Sequence, residues 1–243
     1  MFDVLISNER EIIILKKMLL YVLGLTLCLL FFMPLHTSDA ASSMRTLEFG
    51  NGVTYYGETK NGKPHGYGTM TWSKSKTYKG NWVSGERSGY GIYKAVTSDD
   101  DRVTDLKYDG FWKNDKKEGK GELEIREISY EAVMLENRIQ KGTFSKDQWI
   151  SGYDVRHGEY DPPYYFAYKD SNISLKILGD AGNILDGLKS GYFFSFTYQK
   201  GKIYRNVGVG GEFSQRQFNS FIKSVEKEIK PYINQFEKLA QKL

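Results

Sequence analysis

Three histidines, a single cysteine and a few clustered carboxylates are the residues of this chain best suited to chemistry. His65, in N-G-K-P-H-G, and His157, in R-H-G-E-Y with Glu159 close by, are the right types for a metal site or an acid–base pair. Neither has further ligands at a chelating spacing, so each reads as a solvated turn histidine; His36 lies in an apolar N-terminal segment. Asp99, Asp100, Asp101 and Asp105 could gather around a hard cation, but the glycine and terminal glutamate of a calcium loop are missing, and the run reads as a solvated acidic loop. Gly208-x-Gly210-Gly211 leads into a helix, where free backbone N–H groups could receive an anion; helix entry accounts for the same glycines. There is no G-x-S-x-G, phosphate loop or dinucleotide fingerprint. Cys28 sits in the apolar N-terminal run, so the chain beyond residue 40 has no disulfide, thiol nucleophile or zinc–thiolate site. These residues point to a non-catalytic chain without cofactor or metal.

What does recur is a spacing of aromatics and glycines between Tyr55 and Leu123. Tyr55, Gly57, Gly62, Gly66 and Gly68 return 23 residues later as Tyr78, Gly80, Gly85, Gly89 and Gly91. A third copy, 30 residues further on, keeps Tyr108, Gly110, Gly119 and Gly121 and has Asp115 in place of the remaining glycine. A fixed period of this kind marks stacked structural repeats rather than an ordinary enzyme core. In the second copy, T-Y-K-G-N-W-V alternates as a half-buried strand does, S-G-E-R-S is turn chemistry, and G-Y-G-I-Y can return as the partner strand. Each copy is then a β-hairpin. The glycines two residues after each tyrosine leave room on that face for a neighbouring aromatic. High aromatic content (15%), with 18 Tyr and 25 Gly, agrees with strands and tight turns.

The motif Y-x-G-x-(W/F), a glycine, then G-x-G resembles the MORN repeat, and Y-K-G-N-W-V-S-G-E-R-S-G-Y-G-I-Y from Tyr78 is a close match. The resemblance covers residues 46–125 clearly, with a half repeat at 46–54, and 138–160 as a degenerate copy opened by Q-K-G-T-F. It implies an elongated antiparallel sheet of hairpins used for protein association, self-association or membrane attachment. The aromatic frame Tyr55, Tyr78, Trp82, Tyr108, Phe111 and Trp112 is then the expected partner surface. Exposed aromatics on a flat sheet also suit cell-wall glycan, the alternative ligand, although Trp72, Trp82 and Trp112 are better placed to pack hairpin on hairpin, because stacking needs that burial. A net charge of +4 calls for no polyanion, and no nucleic-acid partner is expected.

Around the repeats the expected organisation is 1–40, 41–160 and 161–243. Lys16-Lys17, the apolar run 18–33 and the small residues Ser38 and Ala40 form a secretory signal cleaved after Ala40. The run's length also admits an uncleaved anchor, giving membrane contact through 18–35, and Met18 is an alternative start. Either way the chain is expected to be extracytoplasmic: secreted, or anchored on the outer side. Asp161-Pro162-Pro163 reads as a boundary. Beyond it, Y-Y-F-A-Y, I-S-L-K-I-L and Y-F-F-S-F-T-Y read as strands, the last entering a hairpin with I-Y-R-N-V-G-V, and 183–189 is ambiguous. Ser214-x-x-Gln217 is a capping box that opens an amphipathic helix over 214–243, with Pro231 expected to kink or split it. The fold expected is mainly β: tandem antiparallel MORN-type hairpins, then a small α+β C-terminal unit ending in that helix. The function expected is an exported protein-interaction or membrane-associated scaffold, with an enzyme site in 161–243 as a third reading.

Overall fold

A computed structural model describes residues 43–131, 133–159, 161–208 and 214–243. The signal or anchor segment, Cys28 and most of the glycine cluster at 208–211 lie outside them. Among the described residues the fold is a 13-stranded antiparallel sheet in which every strand pairs with its sequence neighbours. The hairpin strands are β1 (Ser43–Glu48), β2 (Thr54–Lys60), β3 (Lys63–Ser73), β4 (Lys76–Val83), β5 (Glu86–Ser98), β6 (Arg102–Lys113), β7 (Lys116–Ser129), β8 (Met134–Ser145) and β9 (Gln148–Gly158). There follow β10 (Tyr164–Lys169), β11 (Ile173–Gly179), a short helix α1 (Ile184–Ser190), β12 (Ser195–Lys200), β13 (Ile203–Gly208) and α2 (Gln215–Ala240).

One arrangement repeats in each of the first three hairpins. Gly57 faces Gly68, Gly80 faces Gly91 and Gly110 faces Gly121 across the strand pair. The tyrosine two residues before the first glycine lies over that pair, so a Cβ at Gly68, Gly91 or Gly121 would fall inside the ring of Tyr55, Tyr78 or Tyr108. Beyond the glycines the register shifts by a bulge, and the freed carbonyl accepts the tyrosine hydroxyl. Tyr55 Oη donates to Glu58 O at 2.6 Å, Tyr78 Oη to Asn81 O at 3.0 Å and Tyr108 Oη to Phe111 O at 3.0 Å. Burial pushes all three hydroxyls above their ordinary pKa.

Tryptophan joins one hairpin to the next. Trp82 Nε1 donates to Gly68 O at 3.3 Å, and Trp112 Nε1 to Gly91 O at 3.1 Å. The rings run edge to face as Tyr55–Trp82–Tyr78–Trp112–Tyr108–Phe144, with centroids 5.0 to 5.6 Å apart. The turns are two-residue loops with both residues left-handed: Asn61-Gly62, Ser84-Gly85, Asn114-Asp115 and Lys146-Asp147. Asp115 replaces glycine because its carboxylate adds bonds of its own, accepting from Arg87 N–H at 3.0 Å and Arg87 Nε at 2.9 Å. Asp147 accepts from Lys117 N–H in the same way.

The acidic stretch between the second and third copies mostly extends β5 and β6. Only its tip turns, and there Asp99 accepts backbone N–H bonds from Asp101 and Arg102. Asp161-Pro162-Pro163 connects β9 to β10, and the sheet pairs straight through it. What changes nearby is the face that carries the core. In β8, Gln140 and Gly142 stand where Tyr108 and Gly110 stand in β6, and Gln140 faces Asp154. The alternate residues Ile139, Val155, Phe166, Ile177 and Phe196 are buried beneath α2 on the opposite face. Ser214 and Gln217 form the expected capping box.

Pro231 does not split α2, which is one helix through it. The proline is exposed, so the carbonyl it leaves unpaired faces water, while Ile229, Ile233 and Phe236 on either side are pinned to the sheet.

At Asp154 the core polarity reverses. Arg138 grips the carboxylate with Nε at 2.8 Å and Nη2 at 2.7 Å, and Arg156 adds Nη2 at 3.0 Å. Burial alone would raise the Asp154 carboxyl, but the bonds and charges of the two arginines outweigh it and hold it below the ordinary carboxylate range.

Gly91→Ala puts a methyl into the Tyr78 ring and costs about 3 kcal/mol in urea unfolding, whereas Tyr78→Phe removes only a hydroxyl bond and costs about 1 kcal/mol. The reverse order would contradict the packing. Asp154→Asn leaves two arginines without their anion and costs about 3 kcal/mol. Because the folded pKa is depressed, the wild-type contribution is present above about pH 4 and is lost as pH falls below it, so pH-dependent unfolding of wild type and variant converges in acid.

Candidate functional site

The structure corrects the expected partner surface. Tyr55, Tyr78 and Tyr108 are 0% exposed, and Trp82 and Trp112 are buried beside them. The glycine pairs admit these rings to the core, so five of the six expected contact residues have no surface to offer. The same burial takes Trp82 and Trp112 away from any sugar. Only Phe111 is open, at 48%. Strand alternation puts it on the other face of the sheet.

That outer face carries an aromatic row of its own. Tyr56 (61% exposed), Tyr67 (48%) and Tyr90 (45%) join Phe111 there. Tyr67 pairs with Asn81 across β3 and β4; Asn81 Nδ2 donates to Tyr90 O at 2.9 Å; Tyr90 pairs with Phe111 across β5 and β6, their centroids 5.8 Å apart. The row therefore crosses four consecutive strands. The sequence held a signal for it. Tyr67 and Tyr90 each directly precede a glycine, Gly68 or Gly91, that faces a core tyrosine, and the strand neighbour of a core-facing residue must itself face away.

Next to Phe111 the row opens into a cleft of about 510 Å³, bounded by Tyr90, Lys107, Asp109, Lys120, Glu122 and Lys141. Its charges are matched. Lys107 Nζ lies 3.0 Å from Glu124, and Glu122 receives Lys141 at 2.8 Å and Lys242, just beyond the end of α2, at 2.6 Å. Its bond to Glu124 raises the Lys107 pKa. Burial would raise Glu122, but its two lysines hold it below the ordinary range. Tyr90 Oη donates to Asp109, and that bond, before burial, raises the tyrosine. With Glu122 held ionised by two lysines, the cleft suits exchange of ion pairs and aromatic contacts with a partner rather than proton transfer.

The remaining candidates stand apart. His65 Nδ1 accepts from Ser84 N–H at 3.4 Å on β3, and His157 stacks on Tyr164 at 4.2 Å on β9, six strands away. Among the described residues no three His, Cys, Asp or Glu side chains come together as a metal site, and no helix is long and apolar enough to cross a membrane.

Comparison with known proteins agrees with the geometry. The family model described as MORN repeat matches residues 55–77, 78–99 and 108–125. MORN repeat-containing protein 3 of Xenopus laevis is 44% identical over 72 residues, 29% of this chain and 30% of that protein. Alsin of Homo sapiens and of Rattus norvegicus is 39% identical over 73 residues, 28% of this chain and 4% of each alsin. The matched stretch thus spans under a third of these relatives' length. Family match and hairpin geometry meet on the same residues: 55–77, 78–99 and 108–125 are MORN repeats.

Proposed function

We propose that the chain is a non-catalytic binding scaffold whose outer repeat face holds a protein partner or a second copy of the chain. We further propose that residues 18–35 deliver it to, or anchor it at, the outer side of a membrane. MORN repeats generally mediate protein or membrane interactions, which supports the class. The observation that carries the reading is the exposed row Tyr56, Tyr67, Tyr90 and Phe111 on the face opposite the buried Tyr55, Tyr78, Trp82, Tyr108 and Trp112. Aromatics held rigid on a sheet lose little entropy on contact and are frequent binding hot spots. The paired lysines and carboxylates beside Phe111 provide a polar rim.

The test compares wild type with Tyr67→Ser/Tyr90→Ser/Phe111→Ser in sedimentation equilibrium and in affinity capture from the native source. These side chains are about half exposed, so the variant keeps its unfolding midpoint within a few degrees. Self-association, or capture of one defined partner, falls at least about tenfold. A wild-type monomer with no partner, or capture unchanged in the variant, contradicts the proposal.

A further inference from the structure

On the face opposite α2, the sheet continues past its last buried aromatic into a basin that the MORN motif does not describe. Three cross-strand rows build it. Gln140, Asp154, Ala167 and Lys176 follow one another across β8, β9, β10 and β11. Arg138, Arg156 and Tyr165 form the row on one side; Gly142, Gly152, Lys169 and Ser174 form the row on the other. In the central row the repeat's bulky pair is replaced by Gln140 and Asp154, and Ala167 adds only a methyl. The result is a cavity of about 500 Å³, a size that small-molecule sites commonly have.

The charges in this basin do not cancel. Arg138, Arg156, Lys169 and Lys176 line it against a single carboxylate, Asp154, leaving three positive charges in excess. Asp154 is 3% exposed, and its oxygens are already taken by Arg138, Arg156 and Gln140. It therefore orients the two guanidinium groups and does not invite a cation. Each arginine spends Nε and Nη2 on it and keeps its other N–H groups. Arg156 also lies over the Tyr165 ring at 5.2 Å, which fixes it further. On the far side Lys169 sits 4.6 Å above Trp149, and among the described residues neither Lys169 nor Lys176 has a carboxylate partner. The Trp149 indole N–H, in the same wall, is buried with no acceptor. Two oriented guanidinium forks and two lysines around one cavity form the donor set of a multivalent oxyanion site.

We propose that this basin binds a phosphate monoester dianion, with Arg138 and Arg156 as the fork and Lys169 and Lys176 closing the opposite side. The ester can belong to a soluble metabolite or to a lipid headgroup, because the donors read the phosphate alone. An excess of three positive charges favours a dianion over a lone carboxylate, and tryptophan and tyrosine walls accommodate the esterified group.

Isothermal titration of the full-length chain at about pH 8, where phosphate is mainly the dianion, uses inorganic phosphate and phenyl phosphate as probes. Flotation with phosphatidylcholine vesicles, with and without phosphatidic acid, forms the second arm. The expected result is saturable binding that Lys169→Gln/Lys176→Gln weakens about tenfold or more, while Lys223→Gln/Lys227→Gln, an equal charge change on exposed positions of α2, leaves it intact. Neither lysine of the basin holds a carboxylate, so the variant keeps its fold. Binding of the soluble probes assigns a free ester; retention only by phosphatidic acid vesicles assigns a headgroup. Absence of binding in both arms, or binding equal in the two lysine variants, overturns the proposal and leaves Arg138–Asp154–Arg156 a purely structural ion pair.

Discussion

Everything in the repeat sheet depends on a tyrosine ring lying flat over two facing glycines. The pair removes two side chains from one face, the ring fills the vacancy, and the bulge beyond it turns a carbonyl toward the tyrosine hydroxyl. A sheet that packs against no second layer would ordinarily lack a core. Here the edge-to-face chain from Tyr55 to Phe144 supplies one within a single layer, and tryptophan N–H groups tie each hairpin to the one before. Each tyrosine in that chain touches an aromatic of the next hairpin, so a single copy would expose one end of it. This explains why a half hairpin is placed first, where Thr59 stands at the tryptophan position and bonds back to Ser43.

The fourth hairpin shows what happens when the device is dropped. Gly142 and Gly152 still face each other, because a Cβ on either would meet the opposing backbone. The tyrosine above them has become Gln140, however, and nothing aromatic fills the space. The burial that β8 and β9 lose on that face is recovered on the other, where Ile139 and Val155 begin the cluster beneath α2. The change of core face thus takes place inside one hairpin, without a break in the sheet. It leaves a bare aromatic face beside the first hairpins and a charged basin beside the last ones.

The hairpins, their order and the capped helix were legible because each has a local cause: alternation, left-handed turn residues, and a Ser–Gln capping box. The side of the sheet to which each aromatic belongs was harder to read. Tyrosine and tryptophan suit a core and a contact surface equally well, and composition alone does not separate them. The separating information was the parity of each aromatic relative to the paired glycines. Tyr55 and Tyr56 are neighbours with opposite fates for that reason. The Arg138–Asp154–Arg156 cluster was not legible, since it depends on strand register across β8 and β9. Pro231 misled because the apolar stripe on both sides of it outweighs one missing backbone bond.

One tyrosine set is core and the other is surface. Nitration of the folded chain with tetranitromethane, read residue by residue by peptide mass spectrometry, tests this division directly. Rapid modification of Tyr56 and Tyr67 is expected, with protection of Tyr55, Tyr78 and Tyr108 until the protein unfolds. Modification of Tyr55 as fast as its neighbour Tyr56 would contradict that division.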